Sequence, residues 1–197
     1  MKPGVYQFLC GCFAALGSFL FGYDLAVIAE VVASDNFIEL FLKNSGPSAA
    51  GTVVALFTAG CFFGAFFAGF TDKLGRRGTI LLSSCIFLVG GIIQTAGVKI
   101  GMLYAGRFIA GIGVGILCMI IPIFQAEISH RRIRGKVTCL AQLFNAIGQV
   151  VASWTGYGCY VAWTGTGDSR EWRVPLAVQM IPAVFLGALI YMFPEVS

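Results

Sequence analysis

Residues 108–126 read FIAGIGVGILCMIIPIFQA, a stretch of 19 residues without a charged side chain. About 20 consecutive apolar residues are enough for a helix to cross the hydrocarbon core of a bilayer. Five further charge-free stretches, each at least 19 residues long, lie on either side of it: 3–23, 44–71, 78–98, 137–167 and 174–194. The sequence therefore predicts an all-α membrane protein with six transmembrane helices.

The overall composition excludes several other classes of protein. Of the 197 residues, 58% are hydrophobic and 11% are charged, and the mean hydropathy is +0.87. Soluble domains carry about 25% charged residues, and a chain of this size buries only about 70% of its unfolded surface. A soluble globule, a disordered chain and a nucleic-acid-binding protein are all excluded.

The spans are expected to form one bundle that occupies residues 1–197. The first charge-free stretch is longer than the ~7–15-residue core of a signal peptide and lacks a clear cleavage site, so we expect it to stay in the chain. Residues 30–47 are expected to form an acidic outer loop. We place the spans near 5–29, 48–70, 78–98, 103–126, 137–161 and 174–193.

Lysine and arginine residues predict the orientation of the bundle. With a cytoplasmic N-terminus, eight of the 13 fall on the inner side, four fall on the outer side, and Arg107 lies within a span. Short cytoplasmic loops carry an excess of Lys and Arg. Both termini are therefore predicted to be cytoplasmic.

Asp24 and Arg107 are ionisable residues inside predicted spans, which makes them candidates for function. Both are expected in the outer half of the membrane, at depths that allow them to pair. Burial favours the neutral acid, whereas a neighbouring guanidinium favours the carboxylate. A pair that separates as helices move would couple proton binding to conformation. A static structural ion pair is the alternative.

The fifth predicted span carries three amides, Gln142, Asn145 and Gln149. Their i, i+3, i+7 spacing puts them on one helix face. Amides both donate and accept hydrogen bonds, which suits a polyhydroxylated ligand; hydrogen bonding between helices is the alternative. Phe21, three residues before Asp24, can face the same cavity.

The sequence contains neither a metal-ligand cluster nor a nucleophile–base constellation, so we predict no metal site and no enzyme. His130 is the only histidine, and the seven cysteines all lie within predicted spans, where they serve as small packing residues. The 26 glycines include Gly60-xxx-Gly64 and Gly111-xxx-Gly115, spacings that allow membrane helices to pack closely.

Five stretches, taken in order, carry a resemblance to a known family. The chain resembles the N-terminal half of a sugar porter of the major facilitator superfamily over nearly its whole length. The matching stretches are GSFLFGYDLAVI at 17–28, DKLGRR at 72–77, GRF at 106–108 with Gly111, Gly113 and Gly115, residues 122–127 with Arg134-Gly135, and WRVP at 172–175.

The resemblance implies a six-helix half-bundle with a 3+3 inverted repeat that works by alternating access. Asp24 matches the acid that titrates in proton-coupled members, and Arg107 matches the arginine that pairs with that acid. The resemblance therefore implies the proton as coupling ion and no other cofactor. Phe21, Gln142 and Gln149 match sugar-contacting positions, and Asn145 lies on the same stripe.

The resemblance also implies a cytoplasmic charge network that holds the outward-open state. Helix ends carry partial charges, and ion pairs between neighbouring ends can form in one state and break in another. Alternatively, the arginines only set the topology. The matching residues are Asp72, Arg76, Arg77, Glu127 and Arg134.

Some positions depart from the family pattern. Ala68 replaces a glycine, Phe124 a tyrosine and His130 a proline. The resemblance stops after Pro194-Glu195, so we expect this chain to lack the second bundle of the family. The expected function is proton-coupled hexose symport in the plasma membrane. We expect this half either to be inactive alone or to pair with a second half-bundle or a second copy of the chain. A sugar-sensing or regulatory membrane protein without transport is the alternative.

Overall fold

The computed structural model describes residues 3–42, 48–71, 75–128, 134–163 and 169–189, and the regular structure within these ranges is entirely helical. The all-α prediction is thereby confirmed. The helices are α1 Pro3–Ala33, the short α2 Asp35–Phe37 that continues as a π-helical turn at Ile38–Leu42, α3 Ser48–Thr71, α4 Gly75–Thr95, α5 Ile100–Ile128, α6 Arg134–Trp163, α7 Arg170–Val178 and α8 Met180–Leu189.

Five of these helices (α1, α3, α4, α5 and α6) are long and apolar enough to cross a membrane. The sixth predicted span, 174–193, is instead divided between α7 and α8 by a turn at Gln179. Pro182 explains the break, because its ring clashes with the carbonyl four residues earlier, at Val178, and it has no N–H to donate there. Residues 190–193 lie outside the described part of the chain.

Residues 30–42, the described part of the predicted outer loop at 30–47, are largely helical rather than irregular. α1 continues to Ala33, and Ser34 Oγ then accepts a 3.4 Å hydrogen bond from the backbone N–H of Phe37 at the start of α2. Phe37 and Phe41 lie 6.1 and 5.5 Å from the buried ring of Trp172 on α7, measured between ring centroids. The acidic composition concealed this apolar i, i+4 pair, which docks the segment onto α7.

Helix pairing follows the symmetry expected of a 3+3 inverted repeat. The closest pairs are α1 with α6, α3 with α5, and α4 with α5. In an inverted repeat, the first three spans (α1, α3, α4) correspond in order to the last three (α5, α6, α7–α8). The α1–α6 contact then corresponds to the α5–α3 contact. By the same correspondence the α4–α5 contact is equivalent to the contact of α8 with α1, which is also observed.

Glycines set how closely these pairs approach. A Cβ at Gly60 would overlap the carbonyl oxygen of Phe108, and a Cβ at Gly111 would overlap that of Phe57. Gly148 on α6 has the same relation to the backbone of α1. Small residues let membrane helices pack backbone to backbone, so the predicted glycine spacings lie on the α3–α5 contact.

We predict that Gly111→Ala destabilises the bundle by about 1–3 kcal/mol, because the added methyl group forces α3 and α5 apart. Gly101→Ala, on the same helix, is the matched control, since a Cβ there meets no atom within 4 Å. Thermal and denaturant unfolding of the purified chain in detergent measures both variants. Equal stability of the two would contradict this role for the α3–α5 contact.

Candidate functional site

Asp24 on α1 and Arg107 on α5 form a buried ion pair. Both residues are 0% exposed. Arg107 Nη1 donates to Asp24 Oδ1 and Oδ2, with both distances 3.3 Å. The two charges that the sequence put at compatible depths are therefore in contact.

The geometry of this pair leaves donors uncommitted. Hydrogen bonds between a guanidinium and a carboxylate are usually about 2.7–2.9 Å long and often bidentate, whereas here one nitrogen serves both oxygens. Arg107 Nε and Nη2 are buried without a hydrogen-bond partner among the described residues. The guanidinium carbon lies 5.8 Å from the centroid of the Phe57 ring, which adds a cation–π contact.

Neighbouring polar contacts hold the two helices that carry the pair. Gln94 Nε2 on α4 donates to the carbonyl oxygen of Gly106 at 3.1 Å, next to Arg107. Tyr23 Oη donates to the carbonyl oxygen of Pro175 at 3.1 Å, which joins α1 to α7. The sequence analysis did not single out Tyr23. Its position directly before a buried acid was the available signal.

A cavity of about 180 Å³ lies between α1, α5 and α6. Its lining includes three of the four predicted substrate residues, Phe21, Gln142 and Asn145. The fourth, Gln149, is exposed and does not line this cavity. Asn145 Oδ1 is buried beside Gly22 of α1 and has no hydrogen-bond partner in the described structure.

Pro122 leaves one backbone acceptor without its usual donor, a feature that the sequence analysis missed. It lies inside α5 and has no N–H, so the carbonyl of Cys118, four residues earlier, lacks its usual helical donor. Cys118 and Pro122 both line the same cavity. A proline within a predicted span was the signal that could have indicated this feature.

Charged residues also meet at the predicted inner end of the bundle. Arg76 at the start of α4 pairs with Glu127 near the end of α5, with Nη2–Oε1 at 2.7 Å and Nε–Oε2 at 3.1 Å. Arg134 Nη2, on the first residue of α6, donates to the Ala126 carbonyl oxygen at 2.8 Å. Cationic side chains near a helix C-terminus interact favourably with its free carbonyls.

Within the described residues, Arg77 is not joined to this charge network. Arg77 Nε is buried without a hydrogen-bond partner. Asp72 lies outside the described residues, so the structure does not address its position. The network as described therefore links α4, α5 and α6 through Arg76, Glu127 and Arg134.

Comparison with known proteins identifies the group that shares this architecture. A family profile described as "Sugar (and other) transporter" matches residues 10–196. The chain belongs to the sugar transporter family. This membership confirms the resemblance to sugar porters of the major facilitator superfamily, and together with the five apolar helices it makes the chain part of an integral, multi-pass membrane protein.

Individual relatives agree with the family match. The chain is 41% identical over 187 residues to the MFS-type transporter criB of Aspergillus cristatus, covering 94% of this chain and 39% of the relative. It is 34% identical over 201 residues to sugar transport protein 8 of Arabidopsis thaliana, again covering 94% and 39%. These relatives are transporters, which confirms that the chain is not an enzyme. The chain spans less than half of either relative.

Solved structures show the same bundle. The proton:xylose symporter XylE bound to 6-bromo-6-deoxy-D-glucose superposes with a TM-score of 0.85 at 28% identity, covering 97% of this chain and 45% of XylE. Inward-open XylE from E. coli gives a TM-score of 0.82 at 27% identity, covering 96% and 48%. The six-span arrangement of α1 to α8 is therefore that of a major facilitator half-bundle.

A double-mutant cycle on the buried pair should show strong coupling. Arg107→Gln leaves the Asp24 carboxylate without its counter-charge, so we expect a loss of about 3–5 kcal/mol in unfolding free energy. Asp24→Asn combined with Arg107→Gln should recover most of that loss. Unfolding of the purified chain measures each variant. Additive effects in the double variant would show that the two residues do not interact.

Proposed function

We propose that this chain forms one wall of a sugar pathway and carries the proton-coupling group of a symporter. The observation that supports this most strongly is the buried Asp24–Arg107 pair close to the amide-lined cavity. Phe21 lines that cavity and lies one helical turn before Asp24, so the two features share one segment of α1.

The substrate we propose is a hexose or a related sugar. Gln142, Asn145 and the Cys118 carbonyl, which lacks its usual helical donor, lie around one cavity. Together they include donors and acceptors, which suits the alternating hydroxyl groups of a sugar. Phe21 adds an apolar surface for a sugar ring. Relatives described as sugar or glucose transporters support the same substrate class.

The proposed coupling step uses the competition between Arg107 and a proton for the same carboxylate. When Asp24 is ionised, Arg107 compensates its charge. When Asp24 takes a proton from the outer side, the ion pair loses its attraction and α1 can move relative to α5. Release of that proton on the inner side restores the pair. The uncommitted Nε and Nη2 donors of Arg107 favour such an exchange of partners.

In this proposal the charged cluster at the inner end acts as a latch. The Arg76–Glu127 ion pair and the Arg134 bond to Ala126 hold the inner ends of α4, α5 and α6 together in the outward-open state. The Arg76 and Glu127 side chains are partly exposed, so the pair costs little to break as the bundle rocks.

Transport requires a second wall for the central pathway. We propose that a second half-bundle, or a second copy of this chain, supplies it, and that the chain is inactive alone. The exposed amide Gln149 lies outside the described cavity but on the same face of α6 as Gln142, so it is suited to complete the site in that assembly. We further propose a plasma-membrane location with both termini cytoplasmic, from the charge asymmetry of the loops.

Asp24→Asn tests the coupling group. In proteoliposomes containing a transport-competent assembly, we expect this variant to lose proton-driven accumulation of sugar while retaining sugar exchange, because a neutral amide cannot carry the proton. Glu39→Gln, which alters an exposed acid at the same end of the bundle, should accumulate sugar normally. Concentrative uptake by Asp24→Asn at the wild-type level would rule out Asp24 as the coupling group.

Gln142→Ala tests the binding wall. Loss of one neutral hydrogen-bonding side chain should weaken sugar binding by about 2- to 10-fold. Val150→Ala, an exposed position outside the cavity lining of the same helix, is the control. Calorimetric titration with a hexose measures both. Unchanged affinity in Gln142→Ala would move the site elsewhere, and binding without flux in any assembly would favour the sensing alternative.

A further inference from the structure

The turn that divides the last span carries a buried amide without hydrogen-bond partners. Gln179 lies between α7 and α8 and is 1% exposed. Its Oε1 and Nε2 atoms are both buried, and neither has a partner among the described residues. An amide that leaves water without forming hydrogen bonds costs free energy. The transport step proposed above does not use this residue, so its burial needs an explanation.

Two apolar clusters bracket the depth at which Gln179 lies. The outer cluster, nearer the predicted outer surface, draws on α1, α5 and α7 and includes Val27, Leu103 and Leu176. The inner cluster draws on α1, α5 and α8 and includes Leu20, Ala110 and Ala183. The same helices therefore pack against one another above and below an intervening layer.

Asp24, Arg107 and Gln179 occupy that intervening layer on three different spans. Each is three or four residues along the chain from one named member of the outer cluster and from one named member of the inner cluster. Spacings of three and four residues keep side chains on one helix face. The amide of Gln179 therefore faces the same core as the buried ion pair.

The packing of α4 agrees with this depth. A Cβ at Gly91 would lie 3.6 Å from Gln179 Nε2, so the amide lies against this part of α4. The neighbouring Gly90 lies directly against Ala110 of α5. Ala110 is one helical turn from Arg107. Gln179 and Arg107 are thus at similar depths on either side of α4.

The missing hydrogen bonds of this layer are complementary. Arg107 Nε and Nη2 lack acceptors, and Gln179 Oε1 lacks a donor, among the described residues. Asp24 accepts only from Nη1 of the guanidinium, at 3.3 Å. Gln94 Oε1 is a further acceptor without a donor, but the bond from its Nε2 to the Gly106 carbonyl oxygen holds that amide in place. Gln179 has neither atom committed and is the amide that can turn toward Arg107.

We propose that Gln179 is the alternative hydrogen-bond partner of Arg107 and accepts from its guanidinium when Asp24 is protonated. This inference rests on the proton step proposed above. Tyr23 and Cys61 are the other ionisable groups near Asp24 in the described structure, and both are neutral at neutral pH. The guanidinium therefore exchanges one acceptor for another and keeps a partner in both states.

This exchange gives the last span a part in the proton step. Gln179 forms the turn between α7 and α8, so a bond from Arg107 to Gln179 ties that turn to α5. Protonation on α1 would thereby change which span α5 is bonded to. Gln179 acts through Arg107 and is a positioning residue.

Gln179→Glu in two backgrounds tests whether position 179 reaches Arg107. In the Asp24→Asn chain the new carboxylate should pair with Arg107 and raise the folded-to-unfolded ratio about tenfold. In the wild-type chain a second carboxylate beside Asp24 should lower that ratio. Unfolding of the purified chain in detergent at neutral pH measures all variants.

Gln125→Glu is the matched control for these measurements. It changes another buried amide, on α5 about 27 Å along the helix axis from Arg107, and should lower stability in both backgrounds. An effect of Gln179→Glu with the same sign in both backgrounds would overturn the proposal, since a merely structural amide does not respond to the charge at position 24.

Gln179→Met tests the part of this residue in transport. Methionine preserves the approximate size of the side chain but removes the acceptor. In a transport-competent assembly, we expect the rate of proton-driven accumulation to fall about tenfold. Sugar affinity should stay unchanged, because Gln179 does not line the amide cavity. Val184→Met, at an exposed position of α8, should accumulate sugar normally.

The two proposals fail in different ways. If Asp24→Asn accumulates sugar at the wild-type level, the proton step is wrong and this role of Gln179 falls with it. If Asp24→Asn loses accumulation while Gln179→Met keeps the full rate, the proton step stands and only the role of Gln179 is wrong.

Discussion

A charge in the interior of a membrane protein needs a partner, and the Asp24–Arg107 pair is where this constraint acts on the bundle. Lipid cannot solvate a carboxylate or a guanidinium, so α1 and α5 must lie side by side at this depth. Gln94 and Tyr23 hold the flanking helices by bonds to the carbonyl oxygens of Gly106 and Pro175. The packing of α1 against α5, the position of the amide-lined cavity and the proposed proton coupling all depend on how this pair is held.

The second constraint is how closely backbones can approach without a hydrophobic effect between helices. At the α3–α5 contact, Gly60 and Gly111 remove the side chains that would keep the backbones apart. At the α1–α6 contact Gly148 has the same role. The 3+3 repeat relates these two contacts, so both are packed in the same way through glycine. Polar groups can therefore occupy the middle of the bundle, where α1 and α5 meet.

Backbone irregularity in this bundle occurs where it serves a site. Pro122 frees the Cys118 carbonyl beside the amide cavity, and Pro182 breaks the last span between α7 and α8. Non-helical backbone groups at membrane depth are tolerated where they are buried or line a cavity. The same segment carries Glu171, so the divided span also shapes the outer cavity that Glu171 lines together with Glu30.

The sequence alone determined the all-helical membrane architecture, because charge-free runs of 19 residues or more have few other stable solutions in lipid. It also determined that Asp24 and Arg107 were the charges needing explanation. The tertiary structure decided that they touch, that Gln149 stands apart from the cavity holding Gln142 and Asn145, and that the 30–42 segment is helical. Only the tertiary structure revealed the hydrogen bond from Tyr23 to Pro175 and the cavity lined by Glu30 and Glu171. Both bring together residues more than a hundred positions apart, and periodicity along one helix carries no information about such contacts.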